Sequence, residues 1–86
     1  LKCSKVGFVV KHHHPRARAL ALELAEYLLK KGKAVHFCTE SREIEKELAS
    51  RLDSKTRKSL NLTEKPELVQ KTDLIIVLGG DGTFLS

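Results

Sequence analysis

Asp73-Leu74-Ile75-Ile76-Val77-Leu78-Gly79-Gly80-Asp81-Gly82-Thr83 is the stretch whose reading decides the fold. Leu74 to Leu78 is an uninterrupted apolar run rich in β-branched residues, which suits a strand buried on both faces in the middle of a parallel sheet. It passes directly into a turn holding Gly79, Gly80 and Gly82. Glycines there can take positive φ and let a ligand approach the main chain with no Cβ in the way, so the turn amides can form a nest for an anion. If Thr83 begins or caps a helix, the positive helix end points at the same nest and completes a phosphate site.

Working outward, Lys5 to Lys11 is a second apolar run, ended by His12-His13-His14-Pro15 because a residue preceding proline is disfavoured in helical geometry. From Arg16 the period changes. Ala17, Leu20, Ala21, Leu24, Ala25, Leu28 and Leu29 fall on one helical stripe, and Lys30-Lys31-Gly32 supplies cations and a left-handed stop for the helix end. Ala34 to Cys38 reads as another short strand. Thr39 or Ser41 can cap a helix carrying Ile44, Leu48 and Leu52. Between Asp53 and Lys65 the periodicity fades into polar residues, so a loop is expected there with Lys55, Arg57 and Lys58 in solvent. Pro66 suits the first turn of a short helix through Lys71. This β-α-β-α-(α)-β order with right-handed crossovers predicts an α/β fold, a three-layer open parallel sheet of strand order 2-1-3 flanked by helices. Ligands bind such sheets outside the carboxyl ends of the strands, where connections diverge. Residues 12–16 and 79–83 lie at that edge.

Eighty-six residues make one small domain or a piece of something larger, which excludes a two-domain enzyme within this stretch. No apolar run approaches the roughly 20 residues of a membrane span, and no N-terminal segment reads as a signal peptide, so a cytoplasmic location is expected. Two cysteines, Cys3 and Cys38, are too few for a disulfide scaffold and lack zinc spacing; they read as reduced, packed thiols. The net charge of +5 decides little, and with no tryptophan, one tyrosine and three phenylalanines there is scant material for nucleic-acid stacking.

Asp81 is the misfit in an anion nest, since a carboxylate about 4 Å from a phosphate charge is repelled by roughly 4 kcal/mol at an effective dielectric near 20. It makes sense if it accepts a hydrogen bond, and then a proton, from an acceptor hydroxyl, or helps to hold a magnesium ion; both roles belong to phosphoryl transfer. The plain alternative is an Asp-Gly hairpin turn with Thr83 to Leu85 as a return strand, for which the preceding Gly-Gly is superfluous. Neither a Rossmann G-x-G-x-x-G after the first strand nor a Walker Gly-Lys-Ser/Thr segment is present. His12-His13-His14 cannot all face one metal ion from an extended turn. Arg16 and Arg18 begin a helix beside the presumed phosphate edge, where one can reach a phosphate or both can be solvated; Arg16 is named for that role.

Gly-Gly-Asp-Gly-Thr-Phe-Leu-Ser at residues 79–86, after Asp-Leu-Ile-Ile-Val-Leu, resembles the nucleotide motif of the NAD kinases. Val6 to Val10, His14-Pro15-Arg16 and the Ala/Leu-rich helix resemble the start of the same enzymes. The Gly-Gly-Asp-Gly core is shared with diacylglycerol and sphingosine kinases and phosphofructokinases, but the lipid kinases follow it with Leu-Asn-Glu and have an Asn-Pro-x-Ser-Gly turn absent here. The resemblance implies a kinase, a transferase of NADP biosynthesis, that moves the γ-phosphate of ATP (or a phosphate of polyphosphate) to the 2′-hydroxyl of the adenosine ribose of NAD, with Mg2+ or another divalent cation. It implies Asp81 as proton acceptor, Asp81 and Gly82 on the NAD, Gly79, Gly80 and Thr83 at the phosphates, and Phe84 and Leu85 beside the dinucleotide. It also implies a homo-oligomer when full length, with no nucleic-acid or membrane partner. Family members continue through an Asn-Glu motif into a β-rich domain absent here, so 1–86 is expected to be the N-terminal nucleotide-binding domain, inactive alone. A lipid kinase and a non-catalytic nucleotide- or partner-binding domain stand as the alternatives.

Overall fold

The computed structural model describes residues 4–11 and 14–79. Four parallel strands, β1 (Lys5–Val10), β2 (Ala34–Cys38), β3 (Leu60–Thr63) and β4 (Leu74–Leu78), form one sheet in the order β3-β2-β1-β4. The expected neighbours, with the first strand between the second and the glycine-bearing one, are all present. The difference is β3, which extends the sheet beyond β2 within the segment expected to be a loop. Leu60 and Leu62 pair with Val35 and Phe37, while Asn61 and Thr63 alternate onto the other face. A four-residue run half made of polar residues carries too weak an alternation to stand out in sequence.

Helices α1 (Pro15–Lys30) and α2 (Arg42–Ala49) cover one face, on which Val6, Phe8, Val35 and Phe37 are buried with Ala21, Ala25 and Leu48. Phe8 and Phe37 are register partners whose ring centroids lie 5.3 Å apart. Full burial of each such side chain stabilises the fold by roughly 1.5–3 kcal/mol. The alanines let α1 sit close to the sheet, and the stripe is displaced from the expected one: Leu22 is buried, whereas Leu20 is 43% exposed. Gly32 ends α1 region with φ +86, the left-handed conformation expected.

A short α3 (Ser54–Arg57), N-capped by Asp53, also lies in the expected loop. Arg57 is not free in solvent: its guanidinium donates to the carbonyls of Ala49 and Leu52, at 3.1 and 2.8 Å, closing the end of α2. The other face is covered by α4 (Lys65–Lys71), with Pro66 in its first turn as expected. A Cβ on Gly7 would lie 3.1 Å from Leu68 and Thr72, so the bare glycine admits α4 against β1. On that face His36 Nδ1 and the buried Thr63 hydroxyl share a hydrogen bond of 2.8 Å.

β4 differs from its expected central position. Among the described residues it is an edge strand bonded only to β1, with Leu74 45% and Val77 54% exposed. Its start is fixed by Asp73, whose carboxylate accepts from the Ser4 and Lys5 amides at 3.1 and 3.0 Å and from the Ser4 hydroxyl at 3.2 Å. Those amides hold the Asp73 carboxyl below its ordinary range. No helix of the described residues is long and apolar enough to cross a membrane.

Candidate nucleotide site at the carboxyl edge of the sheet

β1 and β4 end side by side, and the Lys11 amide donates to the Leu78 carbonyl at 3.0 Å. The next residue, Gly79, has φ +87. A Cβ there would lie 2.8 Å from the Lys11 Cβ, 3.1 Å from the Ala17 Cβ and 3.5 Å from His14 Cγ. Both the conformation and the lack of space therefore require glycine at this position. The connection from β1 leaves toward β2, and β4 lies on β1's other side, so Gly79 stands where the sheet's topology reverses, the usual ligand position of an open α/β sheet.

His14 forms the wall on the α1 side. It occupies the N-cap, and its Nδ1 accepts the Ala17 amide hydrogen at 3.2 Å, which holds the imidazole at the start of the helix. Beside it opens a cleft of about 610 Å³ between the β1–α1 and β2–α2 connections. Val10, Pro15 and Ile44 give it an apolar lining, and Lys11, Arg18 and Arg42 bring positive charge. Glu40, Ser41 and Glu43 belong to the opposite wall. Thr39–Ser41 is a single 3-10 turn leading into α2. Ser41 takes the N-cap position of α2, one of the two expected, but its side chain makes no capping bond. Arg18 is held in place by Glu47, at 2.5 Å, and Glu47 also accepts from Arg51 at 2.9 Å. The Arg18 hydrogen bond is the main cause that holds the Glu47 carboxyl below its ordinary range.

Of the residues named from sequence, Gly79 lies at this edge with the positive φ expected of it. Arg16 is exposed in the first turn of α1 and does not line the cleft, whereas Arg18, two residues on, does. Gly80, Asp81, Gly82, Thr83, Phe84 and Leu85, like His12, His13 and Cys3, lie outside the described residues. Cys38 is a buried free thiol at the end of β2. Among the described residues no group of three His, Cys, Asp or Glu side chains comes together to hold a metal. Sequence reasoning passed over Lys11, Glu40, Arg42 and Glu43. Their signal was positional: each immediately follows a strand at its carboxyl end, or lies within a few residues of it.

Residues 6–86 match the family model of the ATP-NAD kinase N-terminal domain. The chain is 37% identical over 82 residues to an NAD kinase of Citrifermentans bemidjiense and, at the same identity and length, to one of Geobacter sp. strain M21; each match covers 95% of this chain and 25% of the relative. An NAD kinase of Syntrophobacter fumaroxidans is 36% identical over 81 residues, 94% of this chain and 24% of that protein. The chain thus spans about a quarter of the length of the curated relatives it matches. No solved structure matches it significantly. A parallel sheet with Gly79 wedged at its reversal point, together with a family match over nearly every residue, establishes that the chain belongs to the NAD kinase family, in the region of its N-terminal domain.

Proposed function

We propose that residues 1–86 are the N-terminal nucleotide-binding domain of an ATP-dependent NAD kinase, in which a β-rich second domain completes the NAD site. The observation that carries this reading is Gly79, held at φ +87 and packed against Lys11, Ala17 and His14, because it is the first residue of the Gly-Gly-Asp-Gly sequence and stands at the topological reversal of the sheet, beside a cleft bearing Lys11 and Arg42. Gly79, Gly80, Gly82 and Thr83 offer main-chain donors to the phosphates, Arg16 reaches them from α1, and Phe84 and Leu85 line the dinucleotide pocket. The donor arrives as its complex with Mg2+, so that cation belongs to the substrate. NAD, and not a lipid, is the acceptor, in keeping with the names of the relatives.

In the reaction the 2′-oxygen of the adenosine ribose bonds to the γ-phosphorus as the bond from that phosphorus to the β-γ bridging oxygen breaks. The electron pair leaves with ADP, and the hydroxyl proton passes to the Asp81 carboxylate. Lys11 and the turn amides stabilise charge on the equatorial oxygens, the main lever available to an enzyme of this reaction type.

Full-length protein offered NAD and diacylglycerol together with ATP should form NADP and leave the lipid unphosphorylated. Asp81→Asn should keep the fold and lower turnover by orders of magnitude, since it preserves size and removes the proton acceptor. Turnover near that of the parent would end the assignment of Asp81, and phosphorylation of the lipid in place of NAD would end the proposal.

A further inference from the structure

The two edges of the sheet differ in charge. At the carboxyl edge Lys11, Arg18 and Arg42 are interleaved with Glu40 and Glu43, and Arg18 is paired with Glu47. The amino edge carries one sign. Every strand of a parallel sheet is entered from the same side, and three of the four entries here are lysines: Lys5 begins β1, Lys33 directly precedes β2, and Lys58 lies two residues before β3. The register sets them together. Lys5 is the partner of Ala34, next to Lys33, while Lys33 and Lys58 each stand two residues ahead of the Val35–Leu60 pair. The Ala34 amide donates to the Ser4 carbonyl and the Val35 amide to the Ser59 carbonyl, both at 2.8 Å, so the edge is tied across all three strands. Adjacent strands lie about 4.8 Å apart, which spaces the lysines as a row. Lys31, 5.4 Å above the Tyr27 ring, and Lys55 in α3 flank it.

The neighbouring acids are committed elsewhere. Asp73 accepts from the Ser4 and Lys5 amides, Asp53 caps α3 through the Thr56 amide at 2.9 Å, and Glu26 and Glu67 pair with Lys30 and Lys71. Among the described residues Lys5, Lys33, Lys55 and Lys58 make no ion pair. The helix dipole accounts for Lys30, Lys31 and Lys71, which lie at helix C-termini where cations are favoured. It does not account for the others: Lys5 and Lys33 enter strands, and Lys55 lies in the first turn of α3, where a cation is disfavoured. Their mutual repulsion costs the folded chain stability, and a single-sign row of this kind gathers opposite charge and speeds its association.

The residue types select the polyanion. Arginine forks match phosphate two-pronged, but the arginines near this edge are engaged within the fold, Arg51 on Glu47 and Arg57 on the Ala49 and Leu52 carbonyls. What remains is lysine, a point charge on a flexible stem, which suits the carboxylates of a mobile chain that holds no fixed geometry. The helices α1 and α4 lead into β2 and β4, so they bring carbonyl ends to this edge and no free amides on which a phosphate could sit. We propose that the amino edge of the sheet docks an acidic, extended segment of a partner protein, its carboxylates running along Lys58, Lys33 and Lys5. This surface lies at the opposite end of the strands from Gly79, and the inference stands independently of the kinase reading.

The test uses full-length protein and the fluorescence anisotropy of a fluorescein-labelled peptide of about twelve glutamates at about 25 mM salt, where screening is weak. The parent should bind the peptide, and raising the salt to about 150 mM should weaken binding severalfold. Lys5→Gln/Lys33→Gln/Lys58→Gln should bind about eightfold more weakly, a factor of about two for each exposed ion pair. Ala19→Glu/Lys46→Glu removes the same net charge from exposed positions on α1 and α2 away from the row, and should stay within about twofold of the parent. The lysine variant should also be at least as stable as the parent in urea, because it relieves repulsion. No binding of the glutamate peptide, or equal weakening in the two variants, would overturn the docking surface. A lower urea midpoint in the lysine variant would show that the row is not under repulsion and would overturn the inference as well. Tighter binding of a labelled oligouridylate, or of vesicles of phosphatidylcholine and phosphatidylserine at about 7:3, lost in the lysine variant, would overturn the acidic segment in favour of nucleic acid or a membrane surface.

Discussion

Gly79→Ala tests the geometry of the phosphate edge, and Gly32→Ala is its internal control. Both glycines lie in the left-handed region, at φ +87 and +86, but a Cβ at Gly32 meets nothing within 4 Å while one at Gly79 lands 2.8 Å from the Lys11 Cβ and 3.1 Å from the Ala17 Cβ. Alanine in left-handed geometry costs about 1–2 kcal/mol. A stiffer unfolded chain offsets about 0.4–1 kcal/mol of that, so Gly32→Ala should lose about 1 kcal/mol. At Gly79 the added methyl falls well inside the ~3.5–4.0 Å at which carbon atoms pack best. The atoms it meets are Cβ atoms fixed to the β1–α1 connection and to α1, so neither can swing aside as a flexible chain end would. Overpacking of this kind adds about 1–3 kcal/mol, for a total near 2–4 kcal/mol in Gly79→Ala. Urea denaturation followed by far-ultraviolet circular dichroism at low micromolar concentration would measure both variants, and hydrogen exchange at the Lys11 amide would report whether its bond to the Leu78 carbonyl survives. Equal losses in the two variants, with Lys11 protected as before, would refute the wedge at Gly79.

Phe37→Ala should cost about 3–5 kcal/mol, because Phe37 is fully buried against Phe8 in the centre of the sheet; urea denaturation checks it. Asp73→Asn should reduce stability at pH 7 by weakening the acceptor for the Ser4 and Lys5 amides. Because the folded carboxyl titrates below its ordinary value of about 3.9, its contribution is present above that value and lost as the pH falls through the folded one. The stability gap between parent and Asp73→Asn should therefore narrow from about pH 4 downwards, and a gap independent of pH would show that the carboxylate charge plays no part.

The sheet was legible where apolar residues came in unbroken runs. Val6 to Val10, Val35 to Phe37 and Leu74 to Leu78 announce strands, and the Ala/Leu stripe of α1 announces a crossover between them. β3 was hidden because its buried set includes Thr63, a polar residue made acceptable by a partner, His36, that is 27 positions away. Arg57 was hidden for a similar reason: a cation within a basic run becomes a helix cap only once α2 ends beside it. At the site, the glycine turn stood out because its composition is rare, and Gly79 fulfilled the conformational expectation placed on it. Ser41, Arg42 and Lys11 carry no such mark. Each is an ordinary surface residue type whose role arises from two strand ends, 28 residues apart in sequence at Val10 and Cys38, being adjacent in the sheet.

Among the described residues β4 keeps one flank open, which bears on how the chain behaves in solution. Its outer row of main-chain donors and acceptors, with Leu74 and Val77 in solvent, is a template onto which another extended segment can add. Two copies meeting along that flank would each pair the other's outer ladder, so sedimentation of these 86 residues should depend on their concentration.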